Sequence, residues 1–177
     1  MIKYKITPKL FWFTGQAGAG KTELANMLKI HLIREQTIMQ KNSEYNGISS
    51  LNCPNQKFII IDGDDIRDLY KNTDYSIDGR KANVDFVQKM CLFLQKNNVI
   101  PIVCMVSPFA QQRRQFIEQQ NGIEIYVHCN EIRGRENYHI DYYEIPVNYD
   151  KLIEIDTTKK SVEQSFKELW KKLSFNQ

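Results

Sequence analysis

The sequence predicts one three-layer α/β/α domain with a mostly parallel sheet of about five strands, and three observations support this. A glycine-rich phosphate-loop pattern follows an apolar stretch near the start of the chain. Short apolar runs then alternate with segments of helical periodicity, which is typical of a parallel sheet covered on both faces. With 177 residues the chain has the length of one such domain, so we expect residues 1–177 to form a single unit.

The phosphate-loop pattern G-x-x-x-x-G-K-[ST] is complete between Gly15 and Thr22. It lies between a predicted strand, Leu10 to Phe13, and a predicted helix of roughly Lys21 to Glu35. In such loops the backbone N–H groups and the positive helix end cradle a polyphosphate, the lysine reaches the β- and γ-phosphates, and the hydroxyl coordinates magnesium. A ligand-free glycine turn is disfavoured because strand, loop and helix agree. We therefore predict a P-loop NTPase fold that binds ATP and Mg²⁺ through Gly15, Gln16, Ala17, Gly18, Ala19, Gly20, Lys21 and Thr22.

Four later apolar runs predict the remaining strands, and helical periodicity fills most of the intervals between them. The predicted strands are Lys57 to Ile61, Val99 to Val106, Ile123 to Val127, and Leu152 to Ile155. Pro101 is compatible with a central strand only near the strand's start. The polar stretch from Gln40 to Gln56 predicts a long loop. The tyrosine- and arginine-rich stretch 130–148 predicts a short lid.

An acidic run, Asp62-Gly63-Asp64-Asp65-Ile66-Arg67, begins where the second predicted strand ends. The ligand crevice of an open α/β sheet lies outside the carboxyl ends of its strands, which places these side chains near the phosphate loop. Without that loop, a solvated turn or a helix cap is the better reading of such a run. With it, the acids become candidates for the chemistry.

Composition excludes several other classes of protein. The net charge of +3 is too small and dispersed to favour nucleic acid or an anionic membrane. No apolar run has the length of a membrane span or the form of a secretory signal, so we expect a cytoplasmic protein. The four cysteines form no C-x-x-C pair and predict reduced thiols, and the three histidines show no zinc-ligand spacing.

A phosphate loop alone does not distinguish kinases from GTPases, motors or switches. The chain lacks the Asn-Lys-x-Asp run that usually reads guanine, and it is short for a motor. Small size and Asp-x-Asp after a neighbouring strand favour a small-molecule kinase. A nucleotide-binding switch without an acceptor, and a kinase for a small acid or sugar, remain the alternatives.

Five motifs occur in the order and approximate spacing of the adenylyl-sulfate kinases, and the chain resembles that family over nearly its whole length. They are the phosphate loop, Asp62 to Arg67, Tyr75-Ser76 with Arg80 and Asn83, Val106-Ser107-Pro108-Phe109, and Ile155-Asp156-Thr157. The family typically shows Gly-Leu-Ser-Gly-Ala-Gly-Lys-Ser, Asp-Gly-Asp-Asn-x-Arg, Phe-Ser-x-x-Asp-Arg-x-Glu-Asn, Ile-Ser-Pro-Tyr and Leu-Asp-Thr. The resemblance implies transfer of the γ-phosphoryl of ATP to the 3'-hydroxyl of adenosine 5'-phosphosulfate, and a homodimer.

The resemblance also implies a role for each matching residue. Lys21, Asp62 and Asp64 are the implied catalytic residues: Asp64 orients or deprotonates the attacking hydroxyl and Asp62, with Thr22, supports magnesium, although the two acids can exchange roles in this assignment. The implied acceptor contacts are Asp64, Arg67, Tyr75, Arg80, Asn83, Ser107, Pro108 and Phe109. Arg133 or Arg135 is expected to stabilise the transferring phosphoryl from the lid. The competing interpretations are core packing for Tyr75, a solvated helix start for Arg80, and plain surface charge for Arg133 and Arg135.

The acceptor half departs from the family pattern. Gly79 and Ala82 replace an aspartate and a glutamate, so that an acid is lost or displaced to Asp78, and two arginines after Asn83 are missing. The lid lacks the family's Phe-Thr-Gly element, which helps to sandwich the adenine of the acceptor. Among relatives of the family, cytidine diphosphoramidate kinases of capsular polysaccharide synthesis phosphorylate the ribose 3'-hydroxyl of a cytidine nucleotide. An acceptor of that kind and adenylyl sulfate are therefore both retained as small-molecule nucleotide partners.

Overall fold

The computed structural model describes residues 8–45, 55–131, 133–147 and 149–175. Within these ranges, all neighbouring strands pair in parallel and the strand order is β2-β3-β1-β4-β5. The strands are β1 (Phe11–Thr14), β2 (Lys57–Asp62), β3 (Val99–Cys104), β4 (Ile123–His128) and β5 (Leu152–Asp156). The predicted sheet of about five mostly parallel strands is confirmed.

Helices cover both faces of this sheet, and strand β1 shows how. Its alternate residues point to opposite faces, so Phe11 and Phe13 join one buried cluster while Trp12 joins the other. The first cluster includes residues of α1 (Lys21–Tyr45) and α5 (Val162–Phe175). The second includes residues of α2 (Gly63–Tyr70), α3 (Ile77–Lys96) and α4 (Ala110–Gln119). The three-layer α/β/α architecture is therefore also confirmed.

Helix α1 is longer than the sequence pattern predicted. It continues to Tyr45, so the expected loop from Gln40 is wrong for residues 40–45, and residues 46–54 lie outside the described ranges. The segment after Glu35 contains no glycine or proline before residue 47, and glutamine, lysine and methionine are good helix formers. Thr37 and Lys41 are exposed, so the polarity of this part of the sequence reflects an exposed helix face rather than a loop.

Pro101 lies inside the central strand β3 at a place where it costs little. It pairs with Ile59 of β2, whereas the pairing of β3 with β1 begins one residue later, at Ile102 opposite Phe11. Pro101 therefore lies near the start of β3, which is where a proline is compatible with a central strand. None of the described helices is both long and apolar enough to cross a lipid bilayer.

Candidate active site

The phosphate loop leaves β1 at Gly15, where the backbone conformation requires glycine. Its φ is +139°, and a Cβ atom there would lie 1.9 Å from the backbone oxygen of Val127 in β4. A side chain would therefore push the loop off the sheet. Because α1 begins at Lys21, the loop delivers its residues to the N-terminal end of that helix, where backbone N–H groups and the helix dipole favour anions.

The side chain of Lys21 folds back over the loop. Its Nζ donates to the backbone oxygens of Gly15 at 3.0 Å and Gln16 at 2.8 Å. Part of the side chain is accessible from the cavity, but the ammonium group is surrounded by protein, and this burial lowers the pKa of Lys21 to about 8. The lysine is thus a buried cation whose ammonium group is hydrogen-bonded to two backbone carbonyls, and the stronger negative charge of a phosphate would stabilise it further.

Asp62 links the phosphate loop to the start of α2. Its Oδ2 accepts a hydrogen bond from Thr22 Oγ1 at 2.9 Å, and its Oδ1 accepts one from the backbone N–H of Asp64 at 2.9 Å. The second bond makes Asp62 the N-cap of α2. The helix-cap reading of the acidic run is therefore correct for Asp62, and the same carboxylate also reaches the phosphate loop.

This pair of oxygen donors suits magnesium. Mg²⁺ is usually held by one or two carboxylates together with waters and substrate phosphates, and Thr22 and Asp62 supply a hydroxyl and a carboxylate side by side. Among the residues that the structure describes, no group of three or more His, Cys, Asp and Glu side chains is arranged to hold a metal alone.

One cavity of about 490 Å³ joins the phosphate loop to the acidic run and the segment that follows. Asp64 lines it together with Lys21 and Thr22, whereas the neighbouring Asp65 does not. Of the residues predicted from the sequence, those lining the cavity are Ala17, Gly18, Gly20, Lys21, Thr22, Asp62, Asp64, Arg67, Tyr75, Arg80, Asn83, Ser107, Pro108, Arg133 and Arg135. Gly15, Gln16, Ala19 and Phe109 lie outside its lining.

Two arginines lie over the ring of Tyr75. The guanidinium carbon of Arg67 is 4.4 Å from the ring centre and that of Arg80 is 5.3 Å away. Arg67 is 6% exposed, donates to the backbone oxygen of Asp74 at 2.8 Å, and has its pKa lowered by burial. Tyr75 is 53% exposed, so it is not a core residue. The arrangement presents an aromatic ring beside two cations at the cavity wall, which suits an anionic aromatic ligand.

The carboxylate beside Gly79 comes from Asp74, a residue that sequence reasoning missed. A Cβ atom on Gly79 would lie 2.3 Å from Asp74 Cγ and 2.5 Å from the Asp74 backbone oxygen. The Asp74 carboxylate accepts from the backbone N–H of Ser76 at 2.9 Å, and hydrogen bonds from Ser76 lower its pKa. Asp78, the sequence candidate for a displaced acid, is exposed in the first turn of α3. The Gly79 substitution and Asp74 thus fit each other.

Ser107 belongs to the floor of the cavity. It is 3% exposed, its Oγ accepts from Trp12 Nε1 at 3.0 Å, and it donates to Thr14 Oγ1 at 3.3 Å. Pro108 also lines the cavity, but the ring of Phe109 stacks on Tyr142 at a centroid distance of 6.1 Å, away from it. Contact of these three residues with an acceptor remains a prediction.

The two arginines of the segment predicted as a lid lie against the phosphate loop. Arg133 donates to the backbone oxygen of Thr157 at 2.9 Å and to Glu131 Oε2 at 2.8 Å. Arg135 is so near Gly18 that a Cβ on the glycine would lie 3.2 Å from its own Cβ. Both line the main cavity and a smaller one of about 130 Å³ on the outer side of the loop. Their position beside the loop is compatible with the predicted role, which stays a prediction.

A phosphate loop, a magnesium-compatible acid and a basic aromatic wall around one cavity define a P-loop protein of the small kinase type. The family model for adenylylsulphate kinase matches residues 40–144, which is more than half of the chain, and the chain belongs to this family. The resemblance drawn from the five motifs is thereby confirmed.

Individual relatives agree with this assignment. The chain is 28% identical over 124 residues to an adenylyl-sulfate kinase of Pseudomonas aeruginosa, covering 68% of this chain but 54% of the relative. It is 27% identical over 186 residues to one of Prochlorococcus marinus, covering 93% and 82%. A probable adenylyl-sulfate kinase of Archaeoglobus fulgidus is 30% identical over 122 residues, with 68% and 66% covered. The chain thus spans about half the length of the first relative and most of the second.

Several solved structures share the fold of this chain. An APS kinase of Mycobacterium tuberculosis in complex with AMPPNP and APS has a TM-score of 0.60 at 19% identity, covering 94% of this chain and 98% of that chain. A gluconokinase of Sinorhizobium meliloti has a TM-score of 0.55 at 13% identity, covering 95% and 97%. At these identities the similarity concerns the fold alone.

Proposed function

We propose that the protein is an ATP-dependent kinase that transfers the γ-phosphoryl group to the ribose 3'-hydroxyl of a nucleotide carrying a 5'-anhydride. The observation that carries this proposal is the shared cavity: Lys21 and Thr22 of the phosphate loop and Asp64 line the same space as Arg67 and Tyr75. A donor and an acceptor that occupy these two ends have their reacting groups close to Asp64. Direct transfer needs that proximity more than any covalent help from the protein.

The donor end is assigned to ATP. The loop amides would cradle the phosphates, and Lys21 would neutralise charge that moves toward the leaving ADP. Thr22 and Asp62 would hold a magnesium ion, which would supply further neutralisation of the phosphate charge. Arg133 and Arg135 approach the loop from the lid side, where a guanidinium stabilises the transferring phosphoryl. The 130 Å³ cavity that shares these arginines gives the donor nucleoside space beyond the loop.

The acceptor end is assigned to the other nucleotide. Arg67 and Arg80 match the anionic 5' end and Tyr75 offers an aromatic face to the base. Asn83, which is 6% exposed at the cavity wall, suits a hydrogen bond to the sugar. Asp64 orients or deprotonates the 3'-hydroxyl, whose oxygen attacks the γ-phosphorus while the bond to the β–γ bridging oxygen breaks.

Two acceptors fit this scheme, and a different observation favours each. Membership of the adenylylsulphate kinase family favours adenylyl sulfate. The rebuilt wall, with Gly79 against Asp74 and without the family's lid phenylalanine, favours an altered acceptor such as cytidine diphosphoramidate, the intermediate of capsule phosphoramidate synthesis. We place the altered acceptor first, because the changes concentrate at the end of the cavity that holds the acceptor.

A panel of acceptors tests the proposal. The protein is incubated with ATP, magnesium and adenylyl sulfate, cytidine diphosphoramidate, plain 5'-nucleotides, gluconate or shikimate, and ADP release is followed with each. We expect release that depends on one of the two nucleotide anhydrides, with phosphate on its 3'-oxygen. Tight ATP binding without turnover on any acceptor supports the nucleotide-binding switch instead. Turnover only on gluconate or shikimate supports the small-acid or sugar kinase.

The cellular setting and assembly follow from the same proposal. Because the reaction consumes ATP, we place the enzyme in the cytoplasm. Family analogy favours a homodimer, while an APS kinase of Thiobacillus denitrificans described as hexameric shares the fold with a TM-score of 0.61 at 24% identity, covering 94% of this chain and 29% of that one. Sedimentation of the purified protein distinguishes the two assemblies.

A further inference from the structure

Gln16, the first variable position of the phosphate loop, joins the loop to the lid. Its Nε2 donates to the backbone oxygen of Ile140 at 2.9 Å, and its Oε1 accepts from the backbone N–H of Ile140 at 3.1 Å. Ile140 is 3% exposed. The backbone oxygen of the same Gln16 accepts from Lys21 Nζ at 2.8 Å. One residue therefore contacts both the lid and the phosphate-binding lysine.

Ile140 opens a turn, residues 140–144, that reaches the other end of the cavity; we call it the bridge turn. Within it, the Tyr143 hydroxyl shares a hydrogen bond of 2.9 Å with Thr14 Oγ1, on the far side of Gly15 from Gln16. The backbone N–H of Glu144 donates to the Pro108 oxygen at 2.9 Å. The Glu144 carboxylate accepts from the backbone N–H of Ala110 at 2.5 Å, at the start of α4. The bridge turn is thus bonded to the phosphate loop at one end and to the Pro108–Ala110 segment at the other.

We propose that Gln16 is a positioning residue: through the bridge turn it keeps the phosphate loop in register with the segment under the acceptor. The proposal rests on the proposed kinase function. A leucine, which the family pattern has at this position, makes neither bond to Ile140. The amide of Gln16 is therefore a feature of this chain. Gln16 lines the smaller cavity and not the main cavity that holds Asp64 and the acceptor end, and both polar atoms of its amide are bonded to Ile140.

The expected effect is on where the phosphoryl group goes. In the productive reaction the acceptor oxygen bonds to the γ-phosphorus, ADP leaves, and the hydroxyl proton passes to Asp64 and then to solvent. If the acceptor is misplaced, a water oxygen takes its position and the products are ADP and inorganic phosphate. Small displacements of a bound reactant cost large factors in rate, whereas water is always available. Loss of register therefore lowers the acceptor phosphorylated per ADP formed.

The test compares Gln16→Met with Gln36→Met. Methionine keeps the length of the side chain and removes its hydrogen bonds. Gln36 is a matched control because its carboxamide also makes two such bonds, donating to Asn55 Oδ1 at 3.1 Å and accepting from the backbone N–H of Gln56 at 3.1 Å, away from the cavity lining. Tyr143→Phe, which removes only the hydroxyl contact to Thr14, is a second variant at the bridge turn.

Two quantities are measured: amide hydrogen exchange at Ile140 by NMR, and the ratio of phosphorylated acceptor to ADP. For Gln16→Met we expect faster amide exchange at Ile140 and an acceptor kcat/KM that is about tenfold lower. The ratio of phosphorylated acceptor to ADP should be at least halved. Tyr143→Phe should lower the ratio less, and Gln36→Met should change exchange at Gln56 but not the ratio. A lower content of folded enzyme reduces both products equally and leaves the ratio unchanged.

The outcomes separate this inference from the proposed function. A wild-type protein that phosphorylates no acceptor overturns the function, and unchanged exchange at Ile140 in Gln16→Met then also overturns the bridge. An active wild type with the same product ratio in Gln16→Met overturns the positioning role alone. The role likewise fails if Gln36→Met lowers the ratio as much as Gln16→Met does.

Discussion

Lys21 sits in surroundings that penalise its own charge. Its ammonium contacts carbonyl oxygens rather than a carboxylate, and burial lowers its pKa from 10.5 to about 8. The folded protein therefore loses this proton at a lower pH than the unfolded chain. Below pH 8 burial of the charge costs stability, and between about pH 8 and 10.5 this cost is progressively relieved as pH rises.

This shift makes ATP affinity depend on pH. A bound triphosphate favours the ammonium form and raises the pKa of Lys21, so binding takes up a proton above about pH 8. We expect the Kd for ATP to be steady between about pH 6.5 and 7.5 and to rise by up to about tenfold per pH unit above 8. Isothermal titration in buffers of different ionisation enthalpy measures both effects. Lys21→Met should bind weakly and lack the slope, and an equal slope in both proteins would assign it to another group.

Asp64 and Asp65 are adjacent, both exposed and both in the first turn of α2, yet only Asp64 lines the cavity. They form a matched pair for testing the attacking base. We expect Asp64→Asn to lower kcat about a hundredfold or more while ATP affinity changes less than about twofold, because a general base acts on the hydroxyl and not on the triphosphate. Asp65→Asn should retain wild-type kcat. Steady-state kinetics and ATP titration supply the measurements.

The contrary results are equally specific. Full activity in Asp64→Asn would move the role to Asp62, the other candidate, whose carboxylate is bonded to Thr22 and to the α2 backbone. Equal losses in Asp64→Asn and Asp65→Asn would indicate a general effect of charge in α2 rather than a base.

At the scale of elements, the strands were predictable and part of the helices was not. Each strand is a short apolar run, and the structure places every one within a residue or two of its predicted limits, as β2 (Lys57–Asp62) illustrates. Helix α2 was missed because its sequence is acidic and short; the Asp62 cap and buried Ile66 hold it in place. The extension of α1 was missed because its polar sequence contains no apolar stripe.

At Gly79, near the start of α3, close packing against Asp74 outweighs helix propensity. Alanine is the better helix former by about 1 kcal/mol, but a Cβ at this position meets the Asp74 backbone oxygen at 2.5 Å. We expect Gly79→Ala to lower the free energy of unfolding by about 1–3 kcal/mol, because the backbone must shift. Urea denaturation measures it. Lys89→Ala, at an exposed position of the same helix, should stay within about 0.5 kcal/mol, and a stabilised Gly79→Ala would show that the Asp74 turn yields freely.

Across the whole molecule, a buried ion pair joins helix α4 to strand β4, and its arginine also bonds to the bridge turn. Arg113 and Glu124 are each 1% exposed, and Arg113 Nε donates to Glu124 Oε1 at 2.7 Å. Arg113 also donates to the backbone oxygens of Ser107 and Glu144, so the cavity floor and the bridge turn share a donor. The Tyr149 hydroxyl donates to the second Glu124 oxygen at 2.5 Å, and burial raises the pKa of this phenol.

Neighbouring arginines allow this network to be tested. Arg113→Met leaves Glu124 buried without its partner, and we expect the free energy of unfolding to fall by about 3–5 kcal/mol. Arg114→Met removes an exposed pair with Glu118, a bond of 2.9 Å, and should cost less than about 1 kcal/mol. Urea denaturation of the three proteins gives both values. Equal stability of the two variants would mean that the Arg113 pair contributes no more than a surface pair.

The candidate site was predictable to the extent that it depends on motifs. Residues such as Thr22, Asp64 and Arg80 belong to contiguous patterns, and the fold brings them to one cavity. The contacts of Gln16 with Ile140 and of Gly79 with Asp74 are different. The first joins a side chain to one backbone unit, and the second lets a glycine lie against one turn residue. Neither contact creates periodicity in the sequence, so both are seen only in the structure.

Trp12 gives the protein an optical probe of its own cavity. The chain contains two tryptophans. The indole N–H of Trp12 donates to the Ser107 hydroxyl, whereas Trp170 packs against His31 in the helix layer on the other face of the sheet. Emission from a fully buried indole responds to any change in the polarity or hydrogen bonding of its single partner. Filling of the acceptor end can therefore be followed by intrinsic fluorescence in an otherwise unlabelled sample, with a Trp170→Phe protein isolating the signal.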